Sequence, residues 1–177
     1  MGDGSTVWLV GMMGAGKSAV GRELARRLGC PFLDADREIE AARGATIAEI
    51  FAREGEDAFR DLEREMVERL AGRPAVVALG GGALGRPEVR RLVAGVGTLV
   101  WLRARPETLL ERIGACEARP LLAGLGAEER LERIRALLAA READYAAAAV
   151  VVETDATTVG EVAERIARAL ADREAAA

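Results

Sequence analysis

The chain has 177 residues, enough for one domain with a sizeable apolar core. Hydrophobic residues make up 50% of it and aromatic residues only 3%, so we expect a core rich in leucine, valine and alanine. The net charge of −4 argues against nucleic acid or an anionic membrane as a partner, and the absence of histidine excludes histidine-based relays and metal sites.

Apolar runs typical of buried strands alternate with helical patterns along the whole chain. Strands are expected at Val7–Val10, Pro31–Leu33, Ala75–Leu79, Thr98–Leu102 and Ala149–Val152. Helices are expected at about Lys17–Leu28, Arg37–Arg43, Thr46–Glu54, Glu56–Ala71, Pro87–Ala94, Pro106–Ile113, Ala127–Ala147 and Val159–Ala171. This alternation predicts an α/β domain whose parallel sheet is covered on both faces and binds ligands beyond the C-terminal strand ends.

The first strand is followed by a phosphate-binding loop, since residues 11–18 match G-x-x-x-x-G-K-[ST]. Lys17 is the only lysine of the chain; its ammonium would act on the β- and γ-phosphates, and the Ser18 hydroxyl would address Mg²⁺. The helix N-terminus adds a favourable dipole. The backbone amides expected to surround the phosphates are those of Gly14, Ala15, Gly16, Lys17, Ser18 and Ala19.

The second strand ends at two carboxylates, Asp34 and Asp36. One of them could serve Mg²⁺ and the other a substrate hydroxyl. Alternatively, Asp36 only caps the helix that is expected to begin at Arg37. The nearby phosphate loop favours the functional interpretation.

Two further features have both a structural and a functional interpretation. One helix face carries Glu56, Arg60 and Glu63. They form either a solvated ladder of salt bridges, which the spacing alone favours, or a group in which the two carboxylates orient Arg60 toward a substrate carboxylate. The triple glycine 80–82 follows the third strand and either forms a tight turn or brings backbone N–H groups close to a ligand.

The segment from Arg112 to Gly126 contains several helix breakers around Arg112 and Arg119. It predicts a flexible lid that brings guanidinium groups to a phosphoryl-transfer site, with a plain surface loop as the alternative. Arg141, near the end of the next expected helix, could be an ordinary solvated residue.

The chain resembles the shikimate kinases from Val7 to about Leu170. The phosphate loop alone indicates only a superfamily, but DAD, GE-x-x-FR, GGG and RPLL in this order are specific to the shikimate kinase group. The matching stretches are Gly11–Gly29, Phe32–Asp36, Ile50–Glu63, Val77–Leu84, Arg119–Leu122 and the R-x-x-x-Y of Arg141–Tyr145.

The resemblance implies a single three-layer α/β/α phosphate-loop kinase domain over residues 1–177, with five parallel strands in the order 2-3-1-4-5. The lid would lie at about 112–126 and the shikimate-binding helices at about 34–63. The implied reaction transfers the γ-phosphoryl group of ATP to the 3-hydroxyl of shikimate, with Mg²⁺ as the cofactor.

The resemblance also implies the roles of residues on the nucleotide side. Lys17 and the loop amides hold the phosphates, Ser18 binds Mg²⁺, and Asp34 acts in the outer coordination sphere of the metal. Arg119 bridges the phosphates and the substrate as a catalytic group, and Arg112 packs against adenine.

On the acceptor side, Asp36 matches the residue that contacts the shikimate hydroxyls and accepts the proton. Arg60 and Arg141 match the pair that binds the shikimate carboxylate, and Gly81 and Gly82 match backbone donors to the substrate.

The sequence departs from the family pattern in two places. The stretch 123–140 is longer than in compact members, and Thr154–Thr157 stands where some members place an arginine against adenine. Adenine contacts there would come from the backbone.

Two competing functions remain open at the level of sequence. Another small-molecule kinase of the same fold, such as one for gluconate, would share the phosphate loop and lid but not GE-x-x-FR with GGG. A catalytically silent nucleotide-binding module would have lost an essential group, and none of the expected ones is missing.

The expected surroundings are cytoplasmic. Two cysteines, Cys30 and Cys116, are too few for a disulfide framework, and no run approaches the roughly 20 apolar residues of a membrane helix. The N-terminal residues lack the pattern of a secretory signal. We expect a monomer whose partners are small molecules.

Overall fold

The computed structural model describes residues 5–114, 120–122 and 124–176. Its five strands form one parallel sheet in the order β2-β3-β1-β4-β5, which confirms the expected topology. The strands are β1 (Thr6–Val10), β2 (Phe32–Asp34), β3 (Val76–Ala78), β4 (Gly97–Arg103) and β5 (Val150–Glu153).

In the described ranges, seven α-helices lie between or after the strands and cover both faces of the sheet. They are α1 (Lys17–Leu28), α2 (Ala35–Arg43), α3 (Ile47–Leu70), α4 (Pro87–Gly95), α5 (Pro106–Ile113), α6 (Ala127–Tyr145) and α7 (Val159–Ala175). Two short 3₁₀ helices occupy Ala83–Gly85 and Pro120–Leu122. Helix α1 packs against α7, and α5 packs against α6.

The central strands are buried because helices cover both sides of them. Every residue of β1 and β3 is buried, as expected for apolar runs in a parallel sheet. The largest core side chain is Trp8, with no exposed surface. This rigid centre fixes the strand ends from which the candidate site is built.

Local sequence signals explain several helix boundaries. Thr46 and Glu49 form a reciprocal capping box at the start of α3, and Pro87 and Pro106 occupy the first turns of α4 and α5. The span of α3 is interrupted at Gly55, where φ is 84° and ψ is 174° and the backbone is not helical. The predicted break between two helical segments is therefore confirmed, as a kink within Ile47–Leu70.

The start of α2 differs from the prediction. The helix begins at Ala35, with Asp34 at its N-cap, so the expected start at Arg37 was wrong. Asp36 lies inside the first helical turn and is not the cap. Its carboxylate therefore needs another explanation.

None of the helices within the described ranges has the length and apolar character required to cross a membrane.

Candidate active site

The phosphate loop lies between β1 and α1, and its glycines allow the backbone to turn. Gly14 and Gly16 have φ angles of 82° and 94°, values that glycine adopts without steric cost. The Lys17 ammonium donates to the carbonyl oxygens of Gly11, at 2.7 Å, and Met12, at 3.3 Å. The lysine side chain is thus held against the loop.

The loop amides do not all point the same way. The N–H of Ala15 donates to the Met12 carbonyl at 3.1 Å, so it is engaged within the loop. The residues that open α1, Lys17, Ser18 and Ala19, place their N–H groups at the helix N-terminus, where an anion is favoured.

Ser18 and Asp34 bring two oxygen groups together beside the loop. The Ser18 hydroxyl donates to Oδ2 of Asp34 at 3.0 Å, although the residues come from different elements. Hydroxyl and carboxylate oxygens are the hard donors that Mg²⁺ prefers. The predicted metal-site pair is therefore assembled in space.

The carboxylates of Asp36 and Glu63 both lie beside Gly80, the first residue of the triple glycine turn. A Cβ added to Gly80 would lie 2.8 Å from Oδ1 of Asp36 and 2.5 Å from Oε1 of Glu63. Only glycine leaves room for both side chains there. Asp36 and Glu63 thus approach the same side of the turn from helices α2 and α3.

Arg60 is oriented by two carboxylates of its own helix. It donates to Glu63 at 2.5 Å and to Glu56 at 2.9 Å, and its side chain is 19% exposed. The predicted ladder of ion pairs is present, but it is solvated only at its Glu56 end, where the side chain is 66% exposed, whereas Glu63 is 3% exposed. A Cβ on Gly82 would meet the Arg60 guanidinium at 2.7 Å.

Burial makes Glu63 an unusual carboxylate. It raises the pKa of Glu63 above its usual range, and the neighbouring Arg60 guanidinium opposes this rise while Asp36 adds to it. For Arg60, burial lowers the pKa, but Glu63 and Glu56 outweigh it and leave the pKa raised. The guanidinium remains charged at the turn.

Arg141 reaches the same turn from helix α6. A Cβ on Gly81 would lie 3.0 Å from Nη1 of Arg141, and this nitrogen is 3.6 Å from the sulfur of Met12 in the phosphate loop. The two arginines expected to bind one carboxylate therefore lie beside adjacent glycines, Gly81 and Gly82.

Arg112 is fixed at the end of β5. Its guanidinium donates to the side-chain oxygen of Thr154 at 2.9 Å and to the Thr154 carbonyl at 2.5 Å. Thr154 is 2% exposed, so this anchor is rigid. Arg119 and Cys116 lie outside the described residues.

Comparison with known proteins finds shikimate kinases among the relatives of this chain. The sequence model described as shikimate kinase matches residues 13–171. A shikimate kinase from Cereibacter sphaeroides is 48% identical over 95% of this chain and 83% of its own length. The chain belongs to the shikimate kinase family. Its activity is accordingly ATP-dependent phosphorylation of shikimate.

Structural comparison agrees with the family assignment. A structure of shikimate kinase from Acinetobacter baumannii in complex with shikimate superposes with a TM-score of 0.88, at 38% identity, covering 96% of this chain and 94% of its own. A gluconokinase from Sinorhizobium meliloti reaches a TM-score of 0.61 at 24% identity, with 96% of this chain and 93% of its own covered, and so shares the fold. The shikimate kinase assignment therefore replaces the two alternatives that the sequence left open, a gluconate kinase and a catalytically silent nucleotide-binding module.

Sequence reasoning gave no role to two residues of this shikimate kinase site. Thr154 was noted only as part of the segment where some family members have an arginine and this chain does not. Tyr145 was noted only as the last residue of the R-x-x-x-Y motif. The signal that could have singled out Tyr145 is its uniqueness, since the chain has one tyrosine. Its partner, Gly81, lies 64 residues away and could not be read from local spacing.

Proposed function

We propose that the shikimate kinase reaction of this chain takes place where the phosphate loop, the Asp34–Asp36 segment and the glycine turn 80–82 meet. The observation that carries this proposal is the approach of Arg60 and Arg141 to adjacent glycines of one turn. Two guanidinium groups at one place suit a planar carboxylate such as that of shikimate.

On the nucleotide side, the phosphate loop and the N-terminus of α1 bind the triphosphate. Lys17 exchanges its two carbonyl partners for the β- and γ-phosphate oxygens when the nucleotide arrives. Arg112, held by Thr154, presents its guanidinium to adenine. Arg119, from the predicted lid, neutralises charge on the transferred group.

The Ser18–Asp34 pair fits Mg²⁺ bound together with the nucleotide. Among the described residues there is no cluster of three or more acidic, cysteine or histidine side chains that could hold a metal alone. This agrees with Mg²⁺ chemistry, in which a few protein oxygens act with substrate phosphates and water. When bound, the ion would neutralise phosphate charge.

On the acceptor side, Asp36 is the group best placed to address a substrate hydroxyl. It does not occupy the N-cap of α2, and its carboxylate lies beside the glycine turn at Gly80. We propose that it orients the 3-hydroxyl and accepts its proton late in the transfer. Because phosphoryl transfer is loose, little prior activation of the hydroxyl is required.

The enzyme is further proposed to be a single-domain, cytoplasmic monomer without nucleic acid or membrane partners. The net charge of −4 and the small number of cysteines support this. In the described part of the chain, the exposed large hydrophobic side chains are three: Leu121, Val151 and Val159.

The testing experiment is ADP production from Mg²⁺·ATP with shikimate, gluconate or a nucleoside monophosphate as acceptor. We expect stimulation by shikimate alone, with phosphate recovered on its 3-hydroxyl by ³¹P NMR. Stimulation by another acceptor, or ADP production independent of any acceptor, would contradict the proposal.

A further inference from the structure

Tyr145 is buried at the end of α6, with 1% of its surface exposed, and its hydroxyl donates to the carbonyl oxygen of Gly81 at 2.6 Å. We propose that Tyr145 is a positioning residue for shikimate, which fixes the Gly81–Gly82 peptide so that the Gly82 N–H and the two arginines face the substrate together. The proposal rests on the proposed function of the glycine turn.

The peptide between two glycines is the part of the turn that most needs an external restraint. Glycine has the widest range of backbone conformations, so the Gly81–Gly82 peptide plane is weakly determined by its own sequence. A trans peptide directs its C=O and the following N–H to opposite sides. A hydrogen bond that holds the Gly81 carbonyl therefore also sets the direction of the Gly82 N–H.

The position of Tyr145 couples this restraint to Arg141. The two residues lie four positions apart on α6, so their side chains share one helix face. A Cβ on Gly81 would lie 3.0 Å from Arg141 Nη1 and 3.5 Å from the Tyr145 hydroxyl. One face of α6 thus holds the turn and presents the guanidinium beside it.

The tyrosine is suited to this task because it remains a donor. Burial raises the pKa of Tyr145 to about 12, against the opposing effect of the Arg141 guanidinium. Its ring is also fixed, since it packs against Trp101 with the ring centroids 5.7 Å apart. The hydroxyl is therefore held at the Gly81 carbonyl by a rigid support.

A second contact between α6 and this region provides a matched comparison. Arg90 of α4 donates to Asp144 at 2.7 Å and to the carbonyl of Leu84 at 2.5 Å. These hydrogen bonds join α6 to the 3₁₀ helix after the turn, and their acceptors are Leu84 and Asp144, not Gly81. Its loss tests general support of α6 without the specific restraint.

The experiment compares Tyr145→Phe with Arg90→Met in steady-state kinetics. Phenylalanine keeps the ring packing and removes only the hydroxyl. We expect Tyr145→Phe to raise the KM for shikimate about tenfold, as the loss of a buried hydrogen bond implies, with kcat within about twofold and the KM for ATP unchanged. Arg90→Met should leave the KM for shikimate within about twofold.

A measurement on the unmutated chain complements the variants. Because Tyr145 is the only tyrosine, incorporation of 3-fluorotyrosine labels this position alone. We expect shikimate to shift the single ¹⁹F signal, because the ligand binds beside the Gly81–Gly82 peptide that Tyr145 holds, and ATP to have a smaller effect.

The outcomes separate the inference from the proposed function. If the unmutated enzyme is not stimulated by shikimate, the proposed function fails. If it is active but Tyr145→Phe binds shikimate normally, if Arg90→Met raises the KM for shikimate equally, or if saturating shikimate leaves the ¹⁹F signal unchanged, the inference about Tyr145 is overturned.

Discussion

Gly82→Ala is a direct test of the role of Arg60, because the added methyl group meets its guanidinium. The new Cβ would lie 2.7 Å from Nη2, 2.8 Å from Nη1 and 2.9 Å from Cζ of Arg60. The backbone of Gly82, with φ −109° and ψ 0°, is open to alanine. The clash is therefore relieved by movement of Arg60 and not by strain in the turn.

The size of the effect follows from how firmly Arg60 is held. A normal contact of about 3.5 Å requires the guanidinium to retreat by about 0.8 Å. Glu63 at 2.5 Å and Glu56 at 2.9 Å resist this movement. Loss of one charge-assisted hydrogen bond to the shikimate carboxylate is worth about 1.5–3 kcal/mol, or a rise in KM of about ten- to 150-fold.

The assay is coupled ADP release with shikimate and ATP varied separately, together with thermal unfolding. We expect a higher KM for shikimate, an unchanged KM for ATP and a nearly unchanged melting temperature. Gly85→Ala is the matched control, since its Cβ would meet no atom within 4 Å. Normal shikimate kinetics in Gly82→Ala, or an equal effect in Gly85→Ala, would refute the assignment of Arg60 as a carboxylate ligand.

Two other substitutions test the transfer step itself. Lys17→Ala should reduce turnover about 10²–10³-fold, because a positive charge on the phosphates is lost, and near-normal turnover would argue against the phosphate-loop mechanism. Asp36→Asn should reduce the rate of transfer about 10²–10⁴-fold in single-turnover assays. The circular dichroism spectrum should stay unchanged, since Asp36 is not the cap of α2. Full transfer activity in this variant would contradict the role of Asp36 as proton acceptor.

Local sequence patterns were sufficient for most of the fold. The apolar runs located all five strands. The Thr-x-x-Glu pattern at Thr46 predicted the capping box, and the glycine at position 55 marked the break in the helical pattern. The error at the start of α2 has a physical reason. Asp36 is a good capping residue, but the cap position is occupied by Asp34, at the end of β2.

The site was predictable only where residues are close in sequence or carry a known motif. Spacing placed Glu63 and Arg60 on one helix face, but it could not show that Glu63 is buried, because burial depends on the glycine turn that covers it. The contact of Arg112 with Thr154 spans 42 residues, and that of Tyr145 with Gly81 spans 64. Such contacts are set by tertiary packing and leave no local periodicity.

The burial of Glu63, which orients Arg60, predicts that the folded state becomes less stable as this carboxyl group loses its proton at higher pH. Three charges face this carboxylate: Arg60 from its own helix, Asp36 from α2 and Arg141 from α6. Because burial dominates and raises the pKa of folded Glu63, the native state binds its proton more tightly than the unfolded state does. The contribution of Glu63 to stability therefore falls as pH rises from about 4.3, the ordinary glutamate value, through its raised folded pKa.

Glu63→Gln should remove this pH dependence. The free energy of unfolding is measured by urea titration at a series of pH values. We expect the value for the unmutated chain, relative to Glu63→Gln, to decline as pH rises across that window and to level off above it. The KM for shikimate should rise in Glu63→Gln because the partner of Arg60 at 2.5 Å loses its negative charge and one of its two acceptor oxygens. Glu56→Gln, which removes the other, more exposed partner of Arg60, is the control. A stability difference that grows with pH would contradict the argument, since it would mean that attraction to Arg60 outweighs the cost of burying the charge.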